Sequence, residues 1–190
     1  MDPEKLKAEV KRRLPEGRFR HVLRVADTAV EMAVRFGADP EDARTAALLH
    51  DVAKAMPKEE LRELVLSEGD PAGVLGFHHE LWHAPAGAII AEREFGISGG
   101  AVLDAIRFHT TGRAGMGVLE QIIYVADMTE PGRDFPGAEE LRQESLQSLS
   151  GGLTACSAHT IRYLAGKRAQ IHPETLACYN DSLHRKDMNS

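Results

Sequence analysis

Apolar residues recur at steps of three and four through almost all of this 190-residue sequence, and no stretch alternates every second residue as a half-buried strand does. That period restricts the chain to helices packed on helices, and its Gly and Pro punctuation sets where they stop. Asp2 before Pro3 is a cap followed by proline at the first helical position, so a first helix opens there and ends before Pro15. A second is expected over 18–36, with Val22, Val25, Ala26, Ala29, Val30 and Ala33 along one face and Gly37 as its stop. The third starts at Asp39-Pro40, takes Glu41 and Asp42 in its first turn, and carries Ala43, Ala46, Ala47 and His50 on one face. Further helices are expected over 58–67, 79–95, 98–109 (capped by Ser98), 118–129 and 153–165, with a last one opened by Pro173. Gly-rich or Pro-rich loops fill 69–77, 110–117 and 131–136. The expectation is one all-α domain over 1–190, with 184–190 as a polar tail.

Composition narrows what such a bundle does. With 43% hydrophobic and 27% charged residues the chain can bury a core without disulfides. No apolar run approaches the roughly 20 residues that span a bilayer, and the first residues lack the apolar segment of a signal peptide. Cys156 and Cys178 have no CxxC spacing and read as reduced thiols, so the cytoplasm is the expected compartment. A net charge of −6 argues against duplex nucleic acid or an anionic membrane as partner, but not against a small anionic substrate, because bound cations can reverse the sign locally.

Six polar residues break the apolar faces. His50 continues Ala43-Ala46-Ala47, His83 aligns with Ala86, Gly87 and Ile90, and His109 completes Val102-Ala105-Ile106. Asp127 follows Leu119, Ile122 and Ile123, His21 borders the Val25-Ala29 stripe, and Asp51 adjoins His50. A single inward histidine is most simply a hydrogen-bonded core residue. Buried carboxylates are harder to explain, since one left unpaired costs several kcal/mol. A shared metal centre accounts for all six more economically than separate explanations. Imidazole and carboxylate without thiolate suit Fe, Mn, Co, Ni or Zn, and too few cysteines exist for structural Cys₄ zinc. Neighbours on a helix point about 100° apart, so His50 and Asp51 reach one ion only beyond a helix end, or if Asp51 bridges two. Six ligands exceed what one catalytic ion with an open position takes; two ions roughly 3.5–4 Å apart, bridged by Asp51, use the set better.

The order His…His-Asp…His…His…Asp on helices resembles the HD superfamily of metal-dependent phosphohydrolases. The segments RFRHVLRVADTA (18–29), AALLHDVAK (46–54), HAPAGAIIAEREFGI (83–97), AIRFHTTGRAGM (105–116), IIYVADMTEPGRDFPG (122–137) and IHPETLACYN (171–180) are similar to those of the YqeK-type bacterial symmetrical diadenosine tetraphosphate hydrolases. The resemblance covers nearly the whole chain. It implies an HD-domain helical bundle with an interior dinuclear, iron-type centre, and the ligands His21, His50, Asp51, His83, His109 and Asp127. It also implies cleavage of a dinucleoside polyphosphate substrate to ADP- or GDP-type products; a homodimer is a further expectation.

On that footing one ion is expected on His21, His50, Asp51 and Asp127, and a second on Asp51, His83 and His109. A hydroxide generated at the metals attacks an inner phosphorus, with Asp51, Lys54 and Asp127 as catalytic residues. Arg18, Lys54, Thr110, Thr111 and Arg133 are candidate phosphate ligands, while His172 and Thr175, which also open the last helix, are expected to approach the nucleoside. His79 shares the His83 face in a 79–95 helix and is a decoy ligand; His78, His79 and Glu80 are expected to be mostly exposed, and His159 and His184 to lie on the surface. The enzyme alternatives are a nucleotidase or a deoxynucleotide triphosphohydrolase of the same superfamily. A cyclic-dinucleotide phosphodiesterase lacks its GYP signature here. The non-enzymatic alternative is a nucleotide-binding HD module.

Overall fold

Small residues on the central helices let the chain pack helix against helix with a site between them. A computed structural model describes residues 3–188, with side chains through His184. Its helices are α1 (Pro3–Arg13), α2 (Glu16–Phe36), α3 (Pro40–Leu49), α4 (Lys58–Ser67), α5 (His83–Phe95), α6 (Gly100–Arg107), α7 (Val118–Thr129), α8 (Ala138–Gln147), α9 (Leu149–Gly166) and α10 (Pro173–Met188). No strand occurs among the described residues, and the all-α expectation holds. Asp2, expected to cap α1, lies outside them.

α3 sits at the centre and touches α1, α2, α5, α6 and α7. Ala43, Ala46 and Ala47 are fully buried there, and their small side chains let the neighbouring backbones close in. Asp39 caps α3 as expected, accepting from the Glu41 and Asp42 amides at 2.8 and 3.0 Å. Gly37 ends α2 in the left-handed conformation, φ 79°. Beyond α3, α5 packs on α6, α6 on α7 and α7 back on α2, while α8 and α10 both pack on α9.

Several elements depart from the periodicity. α3 stops at Leu49, and the chain continues through tight turns closed by Val52 N to Leu49 O and Lys54 N to Asp51 O, so His50 and Asp51 sit at the helix end. Residues 79–95 are not one helix: a 3₁₀ turn spans His79–Leu81, its Glu80 amide bonded to the His78 imidazole, and α5 opens at His83. α6 is preceded by Gly99 without a side-chain cap, and Ser98 does not fill that role. α8 went unexpected because its sequence buries only Ala138, Leu141 and Ser145, too few anchors for a periodic signal. α9 starts at Leu149, capped by Ser148, since Gly151 and Gly152 are buried inside the helix rather than breaking it. The backbone of 184–188, expected as a tail, belongs to α10; residues 189–190 are not among those described.

α10 closes over the loop that follows α6. Gly112 has φ 64°, and a Cβ there would meet Cys178 Sγ at 2.6 Å and Cys178 Cβ at 2.9 Å. Gly112→Ala therefore combines left-handed strain with a collision against a buried side chain. The expected loss is about 2–3 kcal/mol, or roughly 5–10 °C in melting temperature for a chain of this size, read by thermal unfolding followed by circular dichroism.

Candidate metal centre

His21 comes from α2, His50 and Asp51 from the end of α3, His83 from the first turn of α5, His109 from just beyond α6 and Asp127 from the last turn of α7. All but Asp127 are buried, and Asp127 retains 19% side-chain exposure. Each imidazole commits its Nδ1 outward: His50 to Ala47 O at 2.6 Å, His83 to Glu80 O at 2.7 Å, His109 to Ile106 O at 2.7 Å and His21 to Glu130 Oε1 at 3.0 Å. Acceptors of that kind require Nδ1 to carry the proton, which leaves each neutral ring a lone pair on Nε2.

Those four Nε2 atoms converge on two carboxylates. His21 Nε2 lies 2.9 Å from Asp127 Oδ1 and 3.8 Å from Asp51 Oδ2; His50 Nε2 lies 3.4 Å from Asp51 Oδ2 and 3.9 Å from Asp127 Oδ1. On the other oxygen of Asp51, His83 Nε2 is at 3.1 Å and His109 Nε2 at 3.9 Å, with 3.0 Å between the two nitrogens. The buried Nε2 atoms of His21 and His50 have no hydrogen-bond partner. Acceptors facing acceptors at such distances repel unless a cation lies among them. The spacings are those of donors sharing an ion about 2.1 Å from each, so the set fits a divalent metal.

Charge in the cluster is consistent with that fit. Burial pushes the Asp51 carboxyl up, but His50 and His83 outweigh it and hold the group well below the usual carboxylate range. Asp127 is likewise lowered, by His21, His50 and Arg133 against burial. Burial, reinforced by His50 and His83, lowers His109 to about 3, so it stays neutral and able to ligate. For His50 the burial penalty is overcome by Asp51 and Asp127, which raise it.

An HD domain model matches residues 18–132, more than half of the chain and a span that contains all six candidate ligands. The chain belongs to the HD domain family. Across 95% of its length it is 44% identical to the symmetrical bis(5'-nucleosyl)-tetraphosphatase of Bacillus subtilis, covering 97% of that protein. The Staphylococcus aureus protein of the same name is 35% identical, over 95% of this chain and 94% of its own length. The crystal structure of a predicted HD superfamily hydrolase involved in NAD metabolism from Clostridium acetobutylicum superposes with a TM-score of 0.91, at 38% identity, covering 97% of this chain and 98% of that one.

Around this HD centre the candidate phosphate ligands are placed unequally. Arg18 Nη1 donates to Asp51 Oδ2 at 3.0 Å, and Arg133 donates to Asp127 through both Nη2 to Oδ1 and Nε to the carbonyl. Both guanidinium groups are about one-third exposed, so they stand between the HD carboxylates and solvent. Lys54 Nζ donates to Glu80 Oε2 at 2.6 Å and lies 3.4 Å from His83 Nδ1. Thr110 Oγ1 is buried without a partner directly after His109, and Thr111 is buried beside it.

His172 and Thr175 lie elsewhere in their bonding: His172 bonds Gly73 O and the Glu174 amide and lies tilted against Phe77 with ring centroids 4.5 Å apart, while the Thr175 amide bonds His172 O. His79 is half-buried at the 3₁₀ turn, 6.3 Å from the Trp82 ring and 3.6 Å from Glu80, off the His83 helix. His159 is half-buried against Phe135 at 4.9 Å rather than free on the surface, because the unexpected α8 and its preceding loop cover α9.

Two residues around the HD centre had not been singled out. Glu130 is 1% exposed and binds His21, Arg24 and the Gly132 amide. A glutamate before Pro131 at a helix end looks like a loop residue. The available signal was Arg24 one turn from His21 on α2, a cation that needs an anion nearby. Burial alone would raise the Glu130 carboxyl, yet the bonds from Arg24, His21 and Gly132 hold it at about 2, against the usual 4.5.

A lowered folded pKa means stability that is complete above about pH 4.5 and lost as pH falls toward 2, worth about 2–3 kcal/mol. In urea unfolding of the metal-free protein, the advantage of wild type over Glu130→Gln should be constant near neutrality and vanish across that window. A constant difference down to pH 2 would contradict it.

Proposed function

We propose that this HD protein hydrolyses diadenosine tetraphosphate and related dinucleoside polyphosphates symmetrically, releasing two ADP from Ap4A, at a centre of two metal ions. One observation carries the reading: the converging donor groups of His21, His50, Asp51, His109 and Asp127, with His83 beside Asp51 and His109, lie in a chain that aligns over 92–95% of its length with relatives named for that activity. The division of Asp51 supports the count of two, since Oδ2 faces His21 and His50 while Oδ1 faces His83 and His109. His21, His50, Asp127 and Asp51 Oδ2 would hold one ion, and His83, His109 and Asp51 Oδ1 the other. Bound there, the ions supply charge against the phosphoryl oxygens and a water acidic enough to ionise near neutral pH. Iron follows from the family resemblance; the donors suit Mn, Co, Ni or Zn as well.

The chain's own residues orient the substrate. Arg18 and Arg133 each have N–H groups left over from their carboxylate contacts, and a guanidinium fork matches a phosphate edge. Lys54 stands beside His83 as a point charge for a further phosphate, and the unpartnered Thr110 hydroxyl offers a neutral donor. His172, tilted against Phe77, and Thr175 would approach the nucleoside end, as the family resemblance implies. For symmetrical cleavage these groups must hold an inner phosphorus at the centre, so that the leaving group is ADP. Cys156 and Cys178, buried and not joined in a disulfide, fit the cytoplasm as its compartment.

Product analysis tests the reading. Protein purified without oxygen and assayed with Ap4A should give ADP as the sole nucleotide product. AMP with ATP would overturn symmetrical cleavage. Tight ADP binding by the metal-loaded protein without turnover would make it a nucleotide-binding module instead.

A further inference from the structure

Three of the four imidazoles are braced alike, each Nδ1 bonded to the carbonyl three residues earlier: Ala47, Glu80 and Ile106. His21 departs from that pattern. Its Nδ1 meets Oε1 of Glu130, 109 positions along the chain, on a carboxylate almost wholly out of solvent. Arg24, one turn beyond His21 on α2, grips the same carboxylate through Nε at 2.5 Å and Nη2 at 3.1 Å. Gly132 donates its amide to Oε2 and leaves space for the guanidinium, since a Cβ there would meet Arg24 Nε and Nη2 at 2.4 Å. The Arg133 amide bonds Glu130 O at 3.0 Å, which seats the loop whose guanidinium reaches Asp127.

We propose that Glu130 is a positioning residue that sets the affinity of the ion on the His21–Asp127 side and leaves the His83–His109 side unaffected. A charged acceptor on Nδ1–H enriches the electron density at Nε2 more than a neutral carbonyl does, and outer partners of this kind fix both tautomer and ring direction. Arg24 holds the carboxylate in register, so His21 is aimed by a contact between α2 and the end of α7, not by its own helix. The two ions are then unequal by construction. The inference rests on the two-ion centre proposed above.

The test is Co²⁺ titration of metal-free wild type and Glu130→Gln, read by equilibrium dialysis and by visible absorption of the bound ion. Wild type should bind two ions. In Glu130→Gln the tighter should weaken by about 10- to 100-fold, the usual cost of losing an outer partner, while the weaker stays unchanged. Arg24→Ala should shift the same ion less. Glutamine keeps the shape and an acceptor, so it serves even where Glu130→Ala does not fold. Two ions bound by the variant with wild-type affinities, or both weakened equally, would overturn the role of Glu130 alone. A wild type that binds no Co²⁺ would overturn the two-ion centre with it.

Discussion

Replacing Asp51 with alanine is expected to abolish turnover and to empty both halves of the centre. Its two oxygens face different donor sets: Oδ1 lies 3.1 Å from His83 Nε2 and Oδ2 lies 3.4 Å from His50 Nε2. Its loss takes an anionic donor from each, and four imidazoles would be left around one remaining carboxylate. The cost in kcat/KM should reach at least about 10⁴-fold, some 5 kcal/mol of barrier, because no nearby group can replace a lost charge at the reacting phosphate. Asp51→Asn keeps the shape and one neutral oxygen, so it should retain some metal at one half and still fail to turn over. Metal content by elemental analysis, product formation from Ap4A and circular dichroism on the same preparation separate the outcomes. Full activity with full metal in Asp51→Ala would remove Asp51 from the centre altogether.

That role follows from where α3 ends. Read as a continuous helix, residues 43–50 point His50 inward and turn Asp51 about 100° away. The helix instead stops at Leu49, and i to i+3 bonds tighten the next turns, which brings both side chains to the same interior. Spacing alone leaves two options open, an ion beyond the helix end or a bridging Asp51, and the end of α3 at Leu49 is compatible with either.

The inward placement of the six candidate ligands was legible because each interrupts an apolar face, a signal that burial enforces on any sequence. α4 and α7 were legible to the residue because Pro57 and Gly117 bound them sharply. α8 was not, for want of apolar anchors, and with it went the partial burial of His159. Glu130 was hidden for a different reason. Its importance lies in contacts 106 and 109 positions away, to Arg24 and His21, and nothing local to 130 announces them. Long-range polar pairing is what periodicity cannot report, whereas inward-facing histidines it reports well.

Removing the metal should be the largest reversible perturbation of this protein. Without ions the buried shell presents four Nε2 lone pairs and two carboxylates that their neighbours keep ionised, and the His21 and His50 nitrogens have nothing to bond. Chelation should therefore eliminate Ap4A hydrolysis, and readdition of Fe²⁺, Mn²⁺ or Co²⁺ should restore it. The same ions should stabilise the fold, because binding to the native state alone contributes about 2.7 kcal/mol per site at a hundredfold excess over Kd. For a chain this long that corresponds to roughly 5–10 °C in melting temperature for a single site. The gain should shrink in acid, where protons compete with the ions for imidazole and carboxylate. Magnesium is the informative control. It prefers several waters and oxygen donors over imidazole, so at equal concentration it should raise the melting temperature little and restore little activity. Full rescue by Mg²⁺ with no preference for Mn²⁺ or Co²⁺ would mean that the histidines are not ligands.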